Sequence, residues 1–158
     1  MPILFHALPT DPVRALQDSQ PDYYGQPAER TVSDGAGNPC RHCLSDTPKG
    51  RPMLILAYRP FPDDQPYAEV GPIFLCGDSC ERFETSGRLP PILQTSPDYL
   101  VKGYGVDDRI VYGTGVVIAP ERLVDACERI FDDPKVAYIH VRSARNNCYQ
   151  CKVTRVPA

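Results

Sequence analysis

Apolar positions along this chain recur mostly with the short spacing of strands, and only once, late, with the longer spacing of a convincing helix. Met53-Leu-Ile-Leu-Ala-Tyr-Arg59 is the strongest segment, a continuous apolar run bounded by Pro52 and Pro60. A run of that length and closure predicts a strand buried on both faces. Tyr67 to Leu75 predicts a second strand, interrupted at Gly71-Pro72, where proline cannot donate to a ladder. Asp98–Val106 and Ile110–Ile118 predict two further strands, joined as a hairpin by Asp107-Asp108-Arg109. From Pro120 to Asp132 the period changes. Leu123, Val124, Cys127, Ile130 and Phe131 fall on one face at spacings of three and four, and Asp133-Pro134 ends the pattern. Val136–Val141 and Cys148–Val156 predict the last two strands around the turn Ser143–Asn147. Before residue 38 the pattern is weak. Thr10-Asp11-Pro12 starts a short helical turn through Leu16, and Glu29–Ser33 reads as an edge strand.

These elements predict an α+β protein with a mostly antiparallel or mixed sheet and one main helix, residues 120–132, packed on one face. The length of 158 residues fits a single domain over 1–158, with 1–38 as a weakly patterned segment and 39–156 as the core. Composition refines the picture slightly. Prolines number 18, about twice the usual share of about 5%, and they cluster at segment ends as loop punctuation. A net charge of -3 supplies no basic field, so neither nucleic acid nor an anionic membrane surface is expected as a partner. The opening residues hold no basic start followed by a long apolar run, so we expect a cytoplasmic protein.

Seven cysteines in a reducing compartment change the picture more. Six of them form close pairs: Cys40/Cys43 within Pro39-Cys-Arg-His-Cys-Leu44, Cys76/Cys80 at the end of a strand, and Cys148/Cys151. Structural zinc takes four Cys or His ligands, often from pairs two to four residues apart on turns. Cys40, Cys43, Cys76 and Cys80 meet that requirement, with His42 as a possible substitute for one sulfur. Cys148 and Cys151 fit less well, because residues three apart on a regular strand point to opposite faces. Neither of the first two pairs is followed by the glycine that zinc knuckles favour. Two other readings stay open. Arg41 and His42 could lower a thiol pKa for redox cycling, although no helix is expected after Cys43. The thiols could also simply pack as small hydrophobes, as Cys127 is expected to do on the helix's apolar face.

The second candidate is the strand Val136-Ala-Tyr-Ile-His-Val-Arg142. Ala137, Ile139 and Val141 share one face, and Tyr138, His140 and Arg142 share the other, with Arg145 in the following turn. A row of Tyr, His and Arg could bind an anion or transfer protons. The same row could equally be the solvated face of a half-exposed sheet. No Ser-His-Asp arrangement, H-E-x-x-H motif or phosphate-binding loop is present.

Five stretches together carry a family resemblance: Pro39–Leu44, Pro66–Leu75, Asp107–Gly115, Val136–Ala144 and Asn147–Cys151. With them the chain resembles the bacterial family catalogued as domain of unknown function 1203. The resemblance implies a single small soluble domain and brings no activity with it. The leading expectation is therefore a zinc-binding domain with a binding or regulatory role. The alternatives are an enzyme acting on a small anionic substrate through Tyr138, His140 and Arg142 or a Cys40/Cys43 thiol, and an interaction module without site chemistry.

Overall fold

A computed structural model describes residues 2–158. Ten regular elements follow one another: β1 (Ile3–His6), α1 (Thr10–Gln17), β2 (Glu29–Val32), β3 (Pro52–Tyr58), β4 (Gly71–Cys76), β5 (Tyr99–Tyr104), β6 (Val116–Ile118), α2 (Leu123–Ile130), β7 (Tyr138–Ser143) and β8 (Tyr149–Arg155). They build two antiparallel sheets. One has five strands in the order β1-β8-β7-β5-β6, the other three in the order β2-β3-β4. The fold is α+β and mostly sheet, and α2 packs on one face as its periodicity predicts. Its Leu123 and Cys127 are fully buried in the core that Val101 of β5 and Ile3 and Phe5 of β1 also enter. None of the helices among the described residues is long and apolar enough to cross a membrane.

Several predicted bounds change, each for a local reason. The helix begins later than Pro120, because Pro120–Arg122 form a 3-10 turn first. The strand expected from Tyr67 starts only at Gly71, since the Gln65 side chain accepts the Tyr67 amide and curls the chain before it. The expected 107–109 turn does close a hairpin: the Gly105 amide bonds the Arg109 carbonyl and the Val111 amide bonds the Gly103 carbonyl, both at 2.9 Å, and Tyr104 bridges Ile110. The ladder then breaks after Val111, and β5 and β6 pair again only from Val101 opposite Val116 to Tyr99 opposite Ile118. Thr114 explains the interruption: its hydroxyl accepts the Gly103 amide at 2.9 Å and donates to the Val111 carbonyl. Strand β3 is not buried on both faces along its length. Leu54 and Leu56 are buried, while Ile55 and Ala57 are half-buried beside a surface groove under Tyr24.

The weakly patterned start acquires structure through long-range contacts. Strand β1 adds an edge to the larger sheet by pairing with β8, and α1 packs Val13 into the core of the smaller sheet. The largest correction concerns β7. Tyr138, His140 and Arg142 do share a face, but it is not solvated: they are 8%, 1% and 3% exposed. Phe61 lies against the row and Tyr104 of β5 flanks it, so β7 is buried on both sides.

Candidate metal centre

Two loops meet where the small sheet ends. The first is a tight hairpin over residues 38–47, closed by the Cys40 amide on the Ser45 carbonyl (3.0 Å), the Thr47 amide on Asn38 (3.0 Å) and the Leu44 amide on Cys40 (2.9 Å). Such a turn needs one residue with positive φ, and Leu44 adopts it at φ 52. This is the position where knuckles favour glycine. The left-handed conformation costs an L-residue about 1–2 kcal/mol. Complete burial of the Leu44 side chain in the core offsets that cost. The hairpin is fastened to β4 by the Arg41 amide on the Phe74 carbonyl (3.2 Å).

The second loop leaves β4 at Cys76 and returns at Cys80. Gly77 makes the exit possible: its amide bonds the Pro52 carbonyl at 2.7 Å, and a Cβ there would stand 3.0 Å from Pro52 backbone atoms. Helix α1 holds this loop from the other side. Gln17 Nε2 donates to the carbonyls of Cys76 and Asp78, both at 2.9 Å, and Arg14 donates to the Cys80 carbonyl at 2.7 Å.

The result is a cluster of four sulfurs from Cys40, Cys43, Cys76 and Cys80, all within 4.8 Å of one another. Cys40 Sγ lies 3.9 Å from Cys80 Sγ, and Cys43 Sγ lies 3.9 Å from Cys76 Sγ. A tetrahedral ion with metal–sulfur bonds of about 2.3 Å requires sulfur–sulfur edges of about 3.8 Å. The four cysteines could therefore hold a metal ion. Donors converge on the sulfurs as they do around bound thiolates. Cys40 Sγ accepts the backbone amides of Cys76 (3.2 Å) and His42 (3.5 Å), and the Thr47 hydroxyl lies 3.4 Å from Cys76 Sγ. Without a cation the four sulfurs cannot all be thiolates. The Cys43, Cys76 and Cys80 thiols donate to Cys40 and hold its pKa far below the usual thiol range, while Cys43 and Cys80 keep their protons and are pushed up.

His42 stands beside the cluster rather than inside it. Its Nδ1 is 3.1 Å from Cys80 Sγ and its Nε2 is 2.9 Å from the Thr10 hydroxyl. Burial keeps the ring neutral by lowering its pKa. One tautomer satisfies both contacts when Cys80 is a thiolate: Nδ1–H donates to sulfur and the threonine donates to Nε2. Arg41, the other cation between the paired cysteines, points away. Its guanidinium donates to the Tyr149 carbonyl at 2.7 Å and to that of Pro39, and burial pushes its pKa down to about 10. No helix begins after Cys43, since Ser45 and Asp46 are the returning arm of the hairpin.

The remaining predicted residues lie elsewhere. Cys151 is buried in the main core with Cys127, whose thiol burial pushes up to about 12. Cys148 is partly exposed in the turn before β8 and joins neither. Arg145 is on the surface, paired with Asp98 at 2.7 Å. Sequence reasoning missed Thr10, Arg14, Gln17 and Thr47. Only the i, i+3 spacing of Arg14 and Gln17, which bond each other at 2.9 Å, hinted that they act together.

Fold and site together define a small two-sheet α+β protein with a four-cysteine cluster of metal-ligand geometry between two loops. The chain belongs to the family described as protein of unknown function DUF1203, which it matches over residues 37–155. That span holds all four sulfurs, whereas α1 and its supporting contacts precede it. No curated protein and no solved structure shows a significant match.

Proposed function

We propose that this protein is a cytoplasmic zinc-binding domain in which Cys40, Cys43, Cys76 and Cys80 hold one structural ion. The observation that carries the reading is the four-sulfur cluster, with two of its edges close to those of a zinc–thiolate tetrahedron. Four protein donors leave no open coordination position for a substrate, which favours a structural ion and a binding or regulatory role for the domain. Soft thiolates suit zinc. Four thiolates outweigh the charge of a divalent ion, and Arg14, bonded to the Cys80 carbonyl, sets positive charge nearby. A reducing compartment agrees with seven free thiols. The whole chain reads as one domain, because the N-terminal helix and β8 both pack into the core of the smaller sheet.

Metal analysis of protein purified without added metal tests this. One zinc per chain is expected, lost in Cys76→Ser together with cooperative thermal unfolding, and removal by a chelator unfolds the wild type. A metal-free protein that stays folded and is indifferent to chelator would sink the proposal. Stoichiometric iron, seen as a coloured protein, would replace zinc in it.

A further inference from the structure

The face of the larger sheet turned away from α2 carries an unusual row. His6 pairs in register with Lys152, Lys152 with His140, and His140 with Lys102, across four neighbouring strands. Cross-strand partners share a face, so four basic side chains lie in one line. Arg142 is two residues along β7 on the same side. Carboxylates are scarce here. Glu69 is 3.6 Å from Lys102 and 3.5 Å from Arg142, and Asp108 accepts the Tyr138 hydroxyl. The Lys152 ammonium has no ion-pair partner among the described residues and rests 4.5 Å from the Tyr138 ring centre.

Next to His140 lie the fully buried Tyr104 ring and the Arg142 guanidinium, which reaches His140 Nδ1 at 3.5 Å; neither lines the cavity beside that histidine. His140 is surrounded by the rings of Tyr104, Tyr149, Phe61 and Tyr138 at 4.8 to 5.1 Å. Beside it a cavity of about 310 Å³ opens toward the surface. His6, His140, Lys152 and Arg59 are among its walls, and no Asp or Glu is. Arg59 is already committed to Asp64 and to the carbonyls of Phe61 and Pro62. The other walls are apolar or aromatic, chiefly Tyr58, Phe61 and Tyr149. That leaves the Lys152 ammonium as the cation of these walls without a counter-charge, and a charge beside a low-dielectric wall is unfavourable unless one joins it.

We propose that this cavity binds a small organic anion, a carboxylate or phosphate monoester, with its charged head against Lys152 and His140 and an apolar body against Tyr58, Phe61 and Tyr149. The volume suits a ligand of a few to a dozen heavy atoms, and a few polar groups among aromatic walls are the usual make-up of such pockets. The site is independent of the sulfur cluster and stands whether or not that cluster holds zinc.

Titration of the full chain, as purified, with phenyl phosphate, benzoate and uncharged benzyl alcohol tests the proposal, read by calorimetry and by amide chemical shifts. Saturable binding of at least one anion is expected, with shifts centred on β7 and β8, and none for the alcohol. Benzoate alone would assign the head as a carboxylate, phenyl phosphate alone as a phosphate ester. Lys152→Gln is expected to weaken binding about tenfold or more, the weight of one charge-assisted hydrogen bond. His140→Phe, which keeps the ring packing, should also weaken it, and Lys49→Gln on the exposed surface should not. Failure of both anions to bind, equal binding by the alcohol, or unchanged affinity in both Lys152→Gln and His140→Phe would overturn it.

Discussion

Replacing Leu44 with alanine and with glycine separates the two forces that meet at the first cysteine hairpin. Leu44 has positive φ and no solvent exposure. Truncation to alanine removes a fully buried leucine, which costs about 3 kcal/mol by comparison with other core positions. Glycine loses the same side chain but recovers the left-handed cost of about 1–2 kcal/mol. Against this, glycine loosens the unfolded chain by about 0.4–1 kcal/mol relative to alanine. The net expectation is an inverted order: Leu44→Gly equal to Leu44→Ala or up to about 1.5 kcal/mol more stable, with both below wild type. Urea unfolding by far-ultraviolet circular dichroism, at one fixed excess of zinc and with equal slopes, measures it. At an ordinary strand or helix position glycine falls below alanine by about 0.5–1 kcal/mol. That ordinary order at Leu44 would refute the offset of backbone strain by side-chain burial in this knuckle.

Other outcomes follow from the same geometry. Gln17→Ala leaves the Cys76 and Asp78 carbonyls without their donor, so metal affinity measured by chelator competition should fall about tenfold, as for other groups that orient ligands. Thiol titration of the native, metal-loaded protein should find Cys148 reactive first. Cys127 and Cys151, buried in the core with raised pKa values, should react only on unfolding, and the four clustered cysteines only after chelation. Acid should destabilise the fold from about pH 6.5 downward, where His140 must stay neutral in the native state. Burial, then Arg142, Lys152 and Lys102, hold its pKa well below the ordinary value, so the unfolded chain takes up the proton first and stability falls with pH. His140→Phe should flatten that acid slope in melting temperatures measured from pH 7 to 5, and an unchanged slope would count against the buried-neutral assignment.

Local pattern alone determined a good deal of this protein. The helical spacing of Leu123, Cys127 and Phe131 marked the face of α2 that the core covers. The spacing of Cys40/Cys43 and Cys76/Cys80, and the turns around them, marked the two loops whose sulfurs converge, while strand alternation set Cys148 and Cys151 apart. What the chain could not show locally is which surfaces meet. Alternation along β7 assigns Tyr138, His140 and Arg142 to one face, but whether that face meets water depends on Phe61 and Tyr104, distant in sequence. The same holds for α1, an eight-residue helix too short to persist alone, which exists because Val13 and Gln17 are received by the small sheet and by the Cys76–Cys80 loop. Leu44 shows the limit most directly. A missing glycine argued against a knuckle, and only the tertiary structure could supply the burial that makes leucine tolerable at positive φ. Periodicity is a property of neighbouring residues, whereas coverage, closure of a ligand set and the offset of local strain belong to contacts between segments far apart in the chain.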